Sequence, residues 1–298
     1  MISRWLLRAL AAEFLLLAAV IGGATTFAPA SLLWAFAGLI LVNLGLAAAT
    51  YAVLRLVATA RRPRRTDGAR RCWRSAAGEV LALFASFALL QPFERWWMGA
   101  EPSGPASAGR IPVLLVHGYL CNRGAWWWMR RRLRARNYMV ATINLEPPLA
   151  SIDALATQLS GRIDAVLALT GAAQVVLVTH SMGGLVARAY LQRCGAGRVA
   201  ALVTLGAPHH GTEAARLGCG QNARQMQPGG PWLQALEAGP LPGVPCASIW
   251  SPADEFLLPP ETARLASARA TVLSDLGHLA MLYSPAVLAC VVAELGPA

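Results

Sequence analysis

Val175-Val176-Leu177-Val178-Thr179-His180-Ser181-Met182-Gly183-Gly184 is the stretch on which the reading of this chain turns. A largely β-branched apolar run ends in a serine, and two glycines open the helix that follows, so the order is strand, sharp turn, helix. Such a turn holds its serine in a strained backbone conformation, tolerates only small neighbours and projects the hydroxyl above the sheet edge. The pattern G-x-S-x-G stands here as Thr179-His180-Ser181-Met182-Gly183, with threonine in the first glycine place. Ser181 reads as a nucleophile; the competing reading is a structural serine capping the next helix.

Outward from that turn, short apolar strands alternate with amphipathic helices from Arg110 onward, the pattern of a mostly parallel sheet covered by helices on both faces. The expected strands are Ile111 to Val116, Met139 to Leu145, Gln174 to Thr179, Val199 to Leu205, Cys246 to Ser251 and Ala270 to Leu273. The expected helices are Ala125 to Asn137, Ser151 to Leu169, Met182 to Cys194 and Ser284 to Leu295. Between Thr212 and Val244 lies a loop-rich insertion with Pro228, Trp232, Leu233, Leu236, Pro240, Leu241 and Pro242. It reads as a lid or acyl-binding wall, or equally as an ordinary helix packed on the sheet.

Five blocks in order, His117-Gly118, Thr179 to Gly184, Gly206-Ala207-Pro208-His209-His210-Gly211-Thr212, Ser251-Pro252-Ala253-Asp254 and Gly277-His278-Leu279, resemble bacterial lipases and esterases of the α/β-hydrolase fold. The resemblance covers roughly residues 110 to 295 and departs from the commonest pattern at Thr179. It implies an α/β-hydrolase domain that cleaves carboxylic esters. The apolar N-terminal region is not part of the usual secreted lipase.

A serine hydroxyl is a poor nucleophile near neutral pH and needs a base to take its proton. Of the five histidines, His278 follows the last strand and fits the chain order serine, acid, histidine. His117 belongs to the turn after the first strand, where its backbone matters more than its ring, and the ring of His180 should point away from the serine oxygen. His209 and His210 precede every plausible acid after their strand. Asp254 is the expected acid, with Glu255 as the fallback; Asp275 lies on too short a loop to reach round to His278. The oxyanion donors are the backbone N–H groups of Tyr119 and Met182. Nothing calls for a metal or cofactor.

Composition adds the setting. Hydrophobic residues make up 56% of the 298 and charged residues 14%, too apolar for an ordinary soluble protein. The net charge is +11, and residues 61 to 74 hold Arg61, Arg62, Arg64, Arg65, Arg70, Arg71 and Arg74 against Asp67 alone. A basic block beside an apolar segment orients a membrane anchor, and no nucleic-acid module pattern is visible. Ala9 to Phe27 and Leu32 to Val57 are each long enough to cross the hydrocarbon, forming a helical hairpin. The alternative for the first is a cleaved signal peptide processed at Ala28-Pro29-Ala30. A third apolar stretch, Val80 to Leu90, is short and bounded by Glu79 and Gln91-Pro92, yet Trp73 and Trp96-Trp97 flank it with the spacing of a crossing. That spacing favours three crossings of the bacterial inner membrane, which puts the catalytic domain on the periplasmic side; a surface helix would leave it in the cytoplasm.

The chain thus divides into a membrane region, 1–100, a linker, 101–109, and a catalytic domain, 110–298. Six scattered cysteines show no C-x-x-C pair, and Cys219 with Cys246 would form a disulfide only in an extracytoplasmic domain. The expected function is a membrane-anchored serine hydrolase acting on acylglycerol or other lipid esters through an acyl-enzyme, with membrane lipids as its surroundings. A thioesterase or acyltransferase with the same triad is the nearest enzyme alternative, and a non-catalytic membrane scaffold the other.

Overall fold

The computed structural model describes residues 1–24, 29–61, 69–101, 111–239 and 243–296. Residues 62–68 of the basic block, the linker beyond Glu101 and Ala28 of the processing site lie outside the described residues. Helix α1 (Ile2–Ala24) packs along α2 (Pro29–Arg61). The two polar residues that interrupt these apolar runs meet each other: Asn43 Nδ2 donates to Glu13 Oε2 at 2.9 Å. A polar group facing lipid is costly, so a pair closed across the helix interface is the arrangement expected. Among the described residues one stretch, Leu32–Thr59, is long and apolar enough to cross a membrane. Leu15, Leu33, Trp34, Leu41 and Leu56 project outward from the pair.

The third apolar stretch does something else. Helix α3 (Ala69–Phe84) runs into a π-helical turn, Ala85–Leu90, and then α4 (Glu94–Met98). Its inward face carries Ala82 and Leu83 into the same core as the sheet, Ala88 and Leu90 are buried beyond them, and so are the polar residues Ser75, Glu79, Ser86 and Gln91. Ser86 Oγ bonds Tyr283 Oη at 2.6 Å, Asn122 N–H donates to Gln91 Oε1 at 2.7 Å, and Asn122 Nδ2 donates to the Gln91 carbonyl at 2.9 Å. A helix that spends one face and four polar side chains on the domain behind it is a docked helix, so the expected third crossing is not supported. The periplasmic placement rested on that crossing and loses its support too.

Six strands follow, all parallel: β1 (Val113–Val116), β2 (Val140–Thr142), β3 (Val175–His180), β4 (Val199–Leu205), β5 (Cys246–Trp250) and β6 (Arg269–Val272), in the order β2-β1-β3-β4-β5-β6. Between them run α5 (Trp127–Arg134), α6 (Ile152–Thr170) and α7 (Met182–Cys194), then α8 (Gly220–Gln225) and α9 (Pro231–Ala238), with α10 (Pro285–Leu295) last. Ser151 caps α6 by accepting from Ala154 N–H, and left-handed Gly171 ends it. One sheet face packs on α6, α7 and α9 through Leu155, Leu159, Leu185, Tyr190 and Leu233. The other packs on α3, α5 and α10 through Leu83, Trp126, Leu133, Leu288 and Val291. Buried on both faces, the central strands read as continuous apolar runs, which is why they were legible without alternation.

The insertion 212–244 is the ordinary packed element of the two alternatives. Met226, Leu233 and Leu236 are buried in the core, and Trp232 Nε1 donates to Asp153 Oδ2 at 2.7 Å. Pro240, Leu241 and Pro242 lie outside the described residues. Glu101, where the linker was expected to start, accepts from Thr142 N–H at 3.0 Å and pairs with Arg123 and Arg162.

Candidate active site

The strand order reverses between β1 and β3, because β2 lies on one side of β1 and all later strands on the other. In open parallel sheets the crevice beyond the carboxyl ends of such strands is where ligands gather. Ser181 stands at that end of β3 with φ 54 and ψ −128, a left-handed conformation that a non-glycine residue adopts at a cost of about 1–3 kcal/mol. It is half-buried, and its backbone N–H is tied to the Leu205 carbonyl of β4 at 2.9 Å. The sharp turn read from the sequence is therefore present, and Met182 opens α7 immediately behind it.

The loop after β1 lies against this turn. A Cβ on Gly118 would come within 2.8 Å of Ser181 Cβ and 3.2 Å of the His180 carbonyl oxygen, so only glycine lets the two loops approach this closely. The ring of His117 is more than a passenger. Leu145 N–H donates to its Nε2 at 3.0 Å, which puts the proton on Nδ1, and that group donates to the Gly118 carbonyl at 2.9 Å. Burial holds His117 down at about 4, so this neutral tautomer persists.

Asp254 and His278 meet directly: His278 Nδ1 donates to Asp254 Oδ2 at 2.7 Å, with both side chains buried. Asp254 Oδ1 accepts from the backbone N–H groups of Phe256 and Leu257 at 2.9 and 3.0 Å, which leaves Oδ2 aimed at the ring. Phe256 stacks on the imidazole at 4.9 Å between centroids. Burial opposes protonation of His278, but the charge and hydrogen bond of Asp254, together with the charge of Glu79, more than offset it and leave the ring above its ordinary value. Among the described residues Ser181 Oγ makes no hydrogen bond to His278; catalytic contacts of this kind are often loose without substrate.

What links the serine turn to the histidine loop is His180. Its ring turns away from the serine, as expected, and lies 4.6 Å from the ring of His278, while its Nε2–H donates to the His278 carbonyl at 3.1 Å. Trp126 meets the other side of the His180 ring edge-on. Burial, with the neighbouring His278, lowers His180 well below its usual range, so it acts as a neutral donor.

The other candidates fall elsewhere. Glu255 does not reach His278; it lies buried beside Glu79, neither of its oxygens meets a partner in bonding geometry, and burial with the adjacent Glu79 and Asp254 charges pushes it well above the carboxylate range. His209 is buried against Thr204 Oγ1 at 3.1 Å, and His210 pairs on the surface with Glu237. Cys219 and Cys246 are both free thiols. Trp127 and Trp128, with Arg131 and Arg132 stacked over them at 5.5 Å, line a surface concavity of about 410 Å³ rather than the Ser181 crevice. Among the described residues no group of three or more His, Cys, Asp or Glu side chains is arranged to hold a metal.

Residues 112–238 match the family model of palmitoyl protein thioesterase. A triacylglycerol lipase of Burkholderia plantarii is 35% identical over 131 residues, 40% of this chain and 36% of the lipase. Another, from Pseudarthrobacter phenanthrenivorans, is 36% identical over 118 residues, 37% of this chain and 36% of that lipase. Over these residues the chain resembles lipases and esterases of the α/β-hydrolase fold. The chain spans little more than a third of the length of the curated lipases it matches. Its fold is shared with a mature lipase of Bacillus licheniformis (TM-score 0.59, 17% identity, 65% of this chain and 96% of that one) and with lipase B of Aspergillus fumigatus (TM-score 0.59, 21% identity, 66% and 56%). The family model ends before Asp254 and His278, so those two residues rest on geometry rather than on the match.

Proposed function

We propose that this chain is a membrane-anchored serine hydrolase that cleaves carboxylic esters of lipids, acylglycerols foremost, by forming an acyl-enzyme on Ser181. The observation that carries the reading is the convergence at one sheet edge of a strained serine turn and a buried histidine–aspartate pair. In this mechanism Ser181 Oγ attacks the ester carbonyl while His278 Nε2 takes the proton; Asp254 holds the ring tautomer and stabilises the imidazolium. The oxyanion is received by the backbone N–H groups of Tyr119 and Met182. His278 then protonates the leaving alcohol, and a water activated by the same imidazole releases the fatty acid. The named activity of the lipases with which the chain shares 35–36% identity supports the ester, and the long apolar helix α2 supports a lipid source for it.

The anchor in this reading is the α1–α2 hairpin. Ile2 is buried and the Met1 amino group meets Glu146 of the loop after β2, while α2 returns against α3. Both ends of the hairpin therefore lie beside the hydrolase domain, on the side that Arg4 and Arg8 assign to the cytoplasm. Reporter fusions at residue 70 and after residue 100 should both give cytoplasmic signals; opposite signals would restore a third crossing.

A fluorophosphonate probe tests the enzyme reading. Wild-type protein should label and Ser181→Ala should not; equal labelling of the two would sink it, as would a folded wild type that neither labels nor hydrolyses esters, which is the scaffold outcome. Thioester cleavage is the second reading, favoured by the palmitoyl protein thioesterase model that matches residues 112–238. Rates on ester and thioester substrates of matched acyl length separate the two, and transfer to an added alcohol acceptor would reveal an acyltransferase.

A further inference from the structure

The mechanism above leaves one buried charged group without a task. Glu79 sits on α3, outside the sheet domain, and is fully buried against the loop that carries His278. Its carboxylate is bidentate: Oε1 accepts from the backbone N–H of Leu279 and Oε2 from that of Ala280, each at 2.9 Å and from 200 or 201 residues away in sequence. These amides open the helical turn Ala280–Tyr283, which has no side-chain cap of its own. A carboxylate is the strongest acceptor a side chain can offer to such exposed donors. On the other side of His278, a Cβ at position 277 would collide with Glu79 Oε2 and come within 2.7 Å of Glu79 Cβ. Glu79 therefore touches the residues before and after the histidine, while His180 holds the carbonyl of the histidine itself.

We propose that Glu79 is a positioning residue for the general base: a carboxylate delivered by the helix ahead of the hydrolase domain fixes the His278 loop, and its charge favours the imidazolium formed as Ser181 gives up its proton. The proposal rests on the triad reading given under the proposed function. The ionisable groups facing His278 are Asp254 from the loop after β5, Glu79 from α3, His180 from the end of β3 and, behind the two acids, Glu255. Burial lowers His180 and raises Glu255, which favours the neutral form of each, and the charges that raise the base are those of Asp254 and Glu79. Burial raises Glu79 above the ordinary carboxylate value, and the two backbone donors, which bond its charged form, counter part of that rise.

The consequence is specific. A glutamine at 79 keeps the volume of the side chain but turns an NH₂ group toward one of two backbone donors, and it removes the charge. Glu79→Gln in the full-length, detergent-solubilised enzyme should lower kcat on a p-nitrophenyl acyl ester on the order of ten- to a hundredfold, the effect of a misplaced catalytic group. KM should hold, and the acid limb of the kcat profile should move to lower pH. Glu79→Asp keeps the charge one methylene short, so it should lose kcat while holding the acid limb higher than Glu79→Gln does. Gly277→Ala, which leaves α3 intact and drives a methyl group into the carboxylate, should lower kcat as well. Folded variants with wild-type kcat, KM and pH limb would overturn the proposal, and so would a wild-type acid limb at or below the ordinary histidine value, a measurement that needs no variant. If instead Ser181→Ala retains full activity, the triad reading fails rather than the role of Glu79, so the two failures are distinguishable.

Discussion

At the scale of single residues, the two neighbouring acids Asp254 and Glu255 have opposite fates, and substitution should expose them. Asp254→Asn replaces the acceptor for His278 Nδ1–H with a group that cannot hold that tautomer, and kcat should fall by about 10⁴ with folding retained, because the backbone bonds to Oδ1 can persist. Glu255→Gln mimics a carboxyl already protonated, so kcat and its pH profile should stay at wild-type values; an altered acid limb in that variant would show that Glu255 carries charge after all. Gly118→Ala forces a methyl group toward Ser181 Cβ, and displacing the loop that offers the Tyr119 N–H should cost on the order of 3 kcal/mol in kcat, read as more than a hundredfold loss in steady-state rate. In the proposed mechanism Met182 acts through its backbone, and its side chain is buried in the core, so Met182→Leu is the substitution that should keep activity without opening a cavity. The turn at Ser181 and the Asp254–His278 pair were legible because the order of these residues along the chain and their place after strands restrict the choice. The rings of His117 and His180 were not. Their partners, Leu145 N–H and the His278 carbonyl, are backbone groups on other loops, and no residue type in the sequence marks such an acceptor or donor.

At the scale of elements, strands and helices emerged within a few residues of their expected bounds, since continuous β-branched runs and amphipathic spacing are local signals. The docking of α3 was not local. Glu79 and Gln91 looked like polar punctuation at the two ends of an apolar run, yet both are contacts: one grips the His278 loop and the other the loop that begins α5. A lone acid before a hydrophobic segment reads the same whether it faces water or a backbone amide two hundred positions away. Gln91→Ala tests the second contact. It strands the buried N–H of Asn122, whose side chain caps the turn Arg123–Trp126, and should destabilise the protein by about 1–3 kcal/mol, measured as a lowered unfolding temperature in detergent. An unchanged unfolding temperature would mean that the loop finds another acceptor.

At the scale of the whole molecule, stability should depend on pH in a definite sense. His117, His180 and His209 are buried and neutral, held at about 4 in the first case and well below the ordinary value in the others. Each takes up a proton on unfolding once the pH drops below about 6.5, so each removes about 1.4 kcal/mol per pH unit until its folded value is reached. The buried carboxyls Glu79 and Glu255 act in the opposite direction above 4.5, because burial raises both and the folded state releases their protons at higher pH than the unfolded chain does. Three histidines outweigh two carboxyls, and unfolding temperatures should therefore fall as the pH is lowered from 6.5 toward 5. His117→Gln should flatten that fall by one proton's worth; an unchanged slope would mean the His117 ring is not held neutral.

The hairpin α1–α2 and the docked α3 meet the hydrolase domain at Glu146, Tyr283 and the His278 loop, the rim where Ser181 stands. If the hairpin is the anchor proposed for it, an enzyme rooted at its own mouth should sample molecules dissolved in the surrounding lipid layer, not those in bulk water. Diluting mixed micelles with buffer should leave turnover unchanged, whereas adding inert detergent at constant substrate should slow it, because the governing variable is how crowded the substrate is within the interface.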